Sequence, residues 1–219
     1  MKHLLLLCFF LLSSQLSHSQ TFLEDYYEAK RPNWEKEITE EMISQVDPKM
    51  DSMFRAVTGK GWLETQMGNE KKATEQKIEV MKQILNLATE LNTSKQLYLV
   101  EESVQMPPTN FSRTGFVKGE GTTTFFIYDF SKPDTVYTSA DFLSGSITEQ
   151  QSKAREIILN LIEKNDLKRL VELAKMEVSL SEQNPELRPS YEYEVIYYNP
   201  ERKKKIESIY LHEWIVNLK

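Results

Sequence analysis

Cysteine is almost missing from these 219 residues: the one present, Cys8, sits inside an apolar run near the N-terminus. Everything beyond that run is therefore without disulfides, thiol nucleophiles or cysteine-ligated zinc. Histidine is nearly as scarce. Of three, His3 and His18 lie at the N-terminus, which leaves His212 alone in the rest of the chain. A Ser-His-Asp triad would have to run through it, and no G-x-S-x-G elbow supplies the serine. An H-E-x-x-H site, or any metal site needing two histidines, cannot be built. The S-x-x-K, Walker and EF-hand patterns are absent as well. Glycine is sparse, at seven. Gly115, Gly119 and Gly121 cluster between segments of strand character instead of opening a helix, so they read as hairpin residues and not as a phosphate cradle. Positive charge is in deficit: 27 bases against 33 acids give a net −6, and an acidic surface repels phosphate backbones, which argues against nucleic acid as a partner.

What is present begins with an export signal. Met1-Lys2-His3 precedes an unbroken apolar run from Leu4 to Leu12, then a polar stretch with Ser17 and Ser19 at small-residue positions. That order predicts a cleavable signal over residues 1–19, cut before Gln20. The run is far shorter than the ~20 residues a membrane helix needs, and the predicted mature chain holds no transmembrane segment. Leu7 before Cys8 does not fit a lipid-anchor site. Loss of Lys2 makes the mature chain one unit more negative. An exported chain without disulfides points to the periplasm or the extracellular space of a bacterium, since animal secreted domains usually carry them.

Residues 20–219 suit a single α+β domain, with a possible helical subdomain over 33–92. The reading is of N-terminal helices, a small antiparallel sheet, two further helices and a C-terminal β-hairpin. Residues 33–57 predict two short helices meeting at Asp47-Pro48, an N-cap followed by proline at the first helical position. From Glu70 to Asn92, Ile78, Met81, Leu85, Ala88 and Leu91 recur at helical spacing. Strands follow over Gln96–Val104, Phe111–Lys118 and Thr122–Phe130, then through Val136 and Tyr137. The Thr122–Phe130 segment, apolar on both faces, is expected at the centre of the sheet. Thr148 with Gln151 fits a capping box ahead of the stripe Ala154, Ile157, Ile158, Leu161 and Ile162. A second helix follows Asn165-Asp166. Tyr191–Tyr198 and Ile206–Leu211 flank a turn and read as the terminal hairpin.

The chemistry that remains is carboxylate and aromatic. Glu192 and Glu194 share a strand face about 7 Å apart, within the range used by inverting glycosidases, although any solvated strand face yields such a pair. Tyr191, Tyr193, Val195 and Tyr197 share the other face, as a core-facing set would. Tyr198 is opposite to them, and Lys203, Lys204 and Lys205 form a basic hairpin tip. Tyr198 and these three lysines are the candidate partner-binding residues. No residue is assigned a catalytic, cofactor or metal role. The expected function is non-catalytic binding of a protein partner or a cell-surface glycan, an inhibitor or immunity-type protein being one version. The alternative is a carboxylate-dependent glycan hydrolase.

Overall fold

The computed structural model describes residues 21–87, 96–104, 112–129, 132–139, 148–184, 186 and 188–218. The expected signal segment, Ala88 and Leu91 of the helical stripe, and Phe111 and Phe130 at strand ends lie outside them. The molecule is a mixed α+β structure built on one antiparallel sheet of six strands, ordered β4-β3-β2-β1-β5-β6. The strands are β1 (Leu97–Val104), β2 (Ser112–Lys118), β3 (Thr123–Asp129), β4 (Lys132–Ser139), β5 (Tyr191–Tyr198) and β6 (Ile206–His212). The C-terminal hairpin is present, and the sheet is larger than the sequence suggested. The difference arises because β5 pairs with β1 along its whole length, from Leu97↔Tyr198 to Val104↔Tyr191. That joins hairpin and meander into one sheet, through a pairing with no local signature.

Both faces of the sheet are covered. On one face lie helix α1 (residues 21–30) and α5 (Trp62–Leu87), against Leu97, Leu99, Val117, Phe126, Ile196, Tyr198 and Ile206. On the other lie α6 (Glu149–Glu163), α7 (Leu167–Gln183) and a closing 3₁₀ turn (Glu213–Asn217). They cover Tyr98, Val100, Phe116, Tyr193, Val195, Tyr197, Ile209 and Leu211. Fully burying one such aliphatic or aromatic side chain contributes about 1.5–3 kcal/mol, so the two clusters account for most of the favourable free energy of folding. β1 is apolar on both faces from Leu97 to Val100 and is flanked by strands on both sides. It is one of the two central strands, with β2. β3 lies one strand in from the edge, so the doubly apolar pattern of Thr122–Phe130 reflected helices on both faces and not a central position.

The N-terminal helices divide more finely than the sequence implied, into α2 (Pro32–Glu35), α3 (Glu40–Ser44) and α4 (Pro48–Thr58). Asp47 does cap α4, its side chain accepting from Lys49 N at 2.9 Å, and Gly59 ends the helix with φ +74°. Asp51 then accepts from Trp62 N at 2.8 Å, which starts α5 eight residues before the expected Glu70. On α5, Val80, Met81, Ile84 and Leu85 are buried, whereas Ile78 packs at the margin; Leu161 on α6 is marginal in the same way. Thr148 caps α6 as expected, accepting from Gln151 N at 3.1 Å. The Gln151 side chain does not close the box; its amide turns inward to Glu102. Gly115, grouped with the hairpin glycines in the sequence, lies inside β2. An added Cβ there would stand 2.1 Å from the Val100 carbonyl oxygen and 2.5 Å from Phe126 Cζ.

Candidate functional site

β1 ends its apolar run with two consecutive acids that strand alternation sends to opposite faces, both buried: Glu101 at 4% exposure and Glu102 at 6%. Each has been given a cation. Glu102, on the α6 side, holds Arg155 through Nε–Oε2 and Nη2–Oε1 hydrogen bonds of 2.7 Å and also receives Gln151. This fork pairing is buried and ties α6 to the sheet. Among the described residues no water-sized space opens beside it, and it reads as a structural clasp.

Glu101, on the α1 and α5 side, forms the floor of a pocket of about 250 Å³. Register sets Glu194 of β5 directly opposite Glu101, and Tyr210 of β6 directly opposite Glu194. Arg113 of β2 faces Tyr128 of β3 one pleat further along. Lys30 enters from α1 and Lys77 from α5. Lys77 sits on the buried stripe of its helix, one turn from Thr74 and Met81. Its ammonium lies 3.3 Å from Glu101 Oε2 and donates to Glu194 Oε2. Arg113 Nη1 donates to Glu101 Oε1 at 2.6 Å, and the Tyr128 hydroxyl donates to Glu101 Oε2 at 2.9 Å. Lys30 Nζ reaches Glu194 Oε1 at 3.5 Å and the Tyr210 oxygen at 3.4 Å; Tyr210 donates to Glu194 Oε1 at 3.1 Å. Three cations, two carboxylates and the rings of Tyr26, Tyr128 and Tyr210 thus converge from seven elements.

The protonation states follow from this geometry. Burial works against the charged form of Lys77, but the carboxylates of Glu101 and Glu194 outweigh it and raise its pKa well above the ordinary lysine value. Burial would push Glu194 up, yet Lys77 and Lys30 beside it hold its carboxyl below the usual range. Burial raises the Tyr26, Tyr128 and Tyr210 hydroxyls, with Glu101 and Glu194 adding to it, so all three stay neutral donors. Beside Lys77 and Lys30, Glu194 is held in its ionised form, which does not suit it to act as a general acid.

The acids singled out in the sequence do not form the pair. Glu194 enters the pocket, but Glu192 lies opposite Ser103 and His212 and is not part of its wall. The partner of Glu194 is Glu101 across the strands. Two signals marked it: acids extending a fully apolar strand, and a lysine on the apolar stripe of α5.

Tyr198 is 4% exposed, its ring 4.9 Å from that of Phe22 and its hydroxyl donating to Asp25 at 3.3 Å; burial is the main cause that lifts its pKa to about 12. It is a core residue of the α1 face and offers no contact surface, because α1 covers this end of β5. Lys203, Lys204 and Lys205 do stand at an exposed tip, where with Asp25, Lys30 and Asn33 they line a shallow groove between α1 and the hairpin. Lys205 Nζ is paired with Asp25 at 2.9 and 3.1 Å.

His212 is a latch. Its backbone N donates to Glu177 Oε2 at 2.8 Å and its Nδ1 lies 3.4 Å from the same oxygen, which ties α7 to the edge strand. Glu213 likewise accepts from Ser190 N and Tyr191 N at 2.7 and 2.9 Å, fixing the start of β5. Among the described residues no group of three acidic, histidine or cysteine side chains is placed to hold a metal ion, and no helix is long and apolar enough to cross a membrane. No protein-family model, curated protein or solved structure shows a significant match to the chain.

Proposed function

We propose that this is an exported, non-catalytic binding protein that seats one sugar unit of a cell-surface glycan in the Glu101–Glu194 pocket. The observation that carries the reading is the pocket itself: a preformed cavity whose floor is a buried network of donors and acceptors and whose walls carry three neutral tyrosines. Isolating Lys77, Glu101 and Glu194 from water costs several kcal/mol that a purely apolar contact would not. Spending it where a cavity opens is typical of binding sites, in which a few fixed polar groups orient a ligand. Alternating hydroxyls of a sugar ring match clustered carboxylates and ammoniums, and tyrosine faces suit its apolar side. A volume near 250 Å³ falls just below the usual range of drug-sized ligand clefts and has the scale of a single ring.

The paired acids also support a second reading, a glycan hydrolase. Residues directly opposite on neighbouring strands bring Cβ atoms to ~4.5–5.5 Å, a spacing compatible with retaining chemistry. Against it, Lys77 bridges both carboxylates, and Glu194, held ionised by Lys77 and Lys30, is not the proton donor such a pair needs. A glycan array identifies the ligand, and calorimetry with the best glycan then compares Tyr210→Phe and Asn33→Ala with the parent. Each is expected to weaken binding several-fold with thermal stability little changed. Binding indifferent to both changes sinks the pocket reading; release of reducing sugar, abolished by Glu194→Gln, establishes the hydrolase instead.

A further inference from the structure

We infer that the ligand is an acidic glycan, and that it lies across two adjoining subsites: one ring in the pocket and its anionic neighbours along the lysine groove. The inference rests on the pocket reading and names the substrate class for it. Lys30 and Asn33 line both the pocket and the groove, so the two cavities share one wall and a chain leaving the first enters the second. The groove measures about 480 Å³. It is bordered by Lys30, Lys203, Lys204 and Lys205, with Asp25 the one acid among its described lining residues. Such a concentration of positive charge runs against a chain of net −6. Two of these cations have local partners: Lys205 is held by Asp25, and Lys30 by Glu194 and Tyr210. Lys203 and Lys204 are exposed at the hairpin tip. The turn that carries them is fixed, with Asn199 N donating to Lys205 O at 2.9 Å and Glu201 N to Asn199 Oδ1 at 2.9 Å. The ammoniums are therefore presented from a defined backbone, and a row of carboxylates or sulfate esters spaced along a sugar chain is the complement they fit.

The shared chemistry of uronates and sulfated sugars is an anionic group on a pyranose, and the test separates them. Full-length mature protein is titrated with trigalacturonate, with a heparin-derived hexasaccharide and with neutral maltotriose and cellotriose, at ionic strengths from about 0.05 to about 0.5 M. One acidic oligosaccharide is expected to bind at least about tenfold tighter than the neutral ones, its affinity falling about tenfold across that salt range. Replacing Lys203 and Lys204 together by alanine is expected to flatten the salt dependence and cost about tenfold in affinity, with an unchanged melting temperature. Equal, salt-independent binding of neutral and acidic sugars overturns this inference while leaving the pocket reading in place. Acidic-sugar binding lost with Lys203 and Lys204 but indifferent to Tyr210→Phe overturns the pocket reading and the two-subsite ligand with it. Binding of anionic lipid vesicles with no acidic oligosaccharide bound overturns the inference in favour of a membrane surface.

Discussion

At the residue scale, the most consequential side chain is Lys77. It stands 13% exposed between carboxylates that are 4% and 15% exposed, and its ammonium reaches both. Lys77→Met keeps the stem and removes the charge, which leaves two like charges opposed in a poorly hydrated site. Unfolding titrations in urea should register a loss of about 3 kcal/mol; a loss below about 1 kcal/mol would show that water already screens the pair. His212 makes a pH-dependent contribution. The Glu177 carboxylate raises its pKa, burial opposes this, and Glu177, Glu192 and Glu213 add to the rise through their charge. A histidine whose folded pKa is raised stabilises most below its unfolded value of about 6.5 and loses that stability as pH climbs through the folded value. The urea midpoint of the parent should therefore fall between mildly acidic and mildly alkaline pH, and His212→Asn should show a shallower fall.

At the element scale, the tolerance of each strand follows from what lies over it. Phe126 crosses β2 at Gly115, and the space it uses is that of a missing Cβ. Gly115→Ala sets a methyl against the Val100 carbonyl, backbone that cannot move without breaking the β1–β2 ladder. The expected cost is about 3 kcal/mol in a denaturant titration, with chemical shifts of β1 and β3 amides displaced; a near-neutral result would mean that the sheet flexes there. The start of α6 offers a calibrated contrast. Thr148→Ala removes the cap to Gln151 N and should cost about 1 kcal/mol, whereas Ile158→Ala empties a fully buried site and should cost about 2–5 kcal/mol. Leu161, at the margin of the same cluster, belongs below that range. Periodicity had placed both on the buried stripe, because spacing fixes the direction of a side chain and not the reach of what covers it.

At the scale of the whole molecule, the two faces of the sheet do different work. The α6 and α7 face is closed by the Arg155–Glu102 clasp, the Glu177–His212 latch and the Glu213 cap. The α1 and α5 face is packed at one end by Phe22 and Tyr198, and opens at the other into the pocket. The contrast is testable with one pair of variants in the same hairpin. Tyr198→Ala should lower the melting temperature by several degrees, since it removes a ring from the core. Lys204→Ala should leave it unchanged and act on ligand affinity alone. A stable Tyr198→Ala protein would mean that α1 is not seated on β5.

Much of the element plan was legible in the residues. Thr148, Asp47-Pro48, Gly119 to Gly121 and the alternation of Tyr191 to Tyr197 each act through contacts within a few positions, and each marked the helix cap, turn or strand face it now forms. Length and the apolar stripes were enough for the α+β class. Tertiary structure alone decided the rest, because it depends on pairings made across the chain. Glu101 meets Glu194 only when β1 pairs with β5, and Lys77 meets both only when α5 is laid on that face. Tyr198 looked available for a partner because alternation placed it opposite the core-facing tyrosines. α1, contributed from more than a hundred residues away, supplied a second core on that side. Local spacing fixes which way a side chain points; what it meets is fixed by the register of distant segments, and that is where this pocket resides.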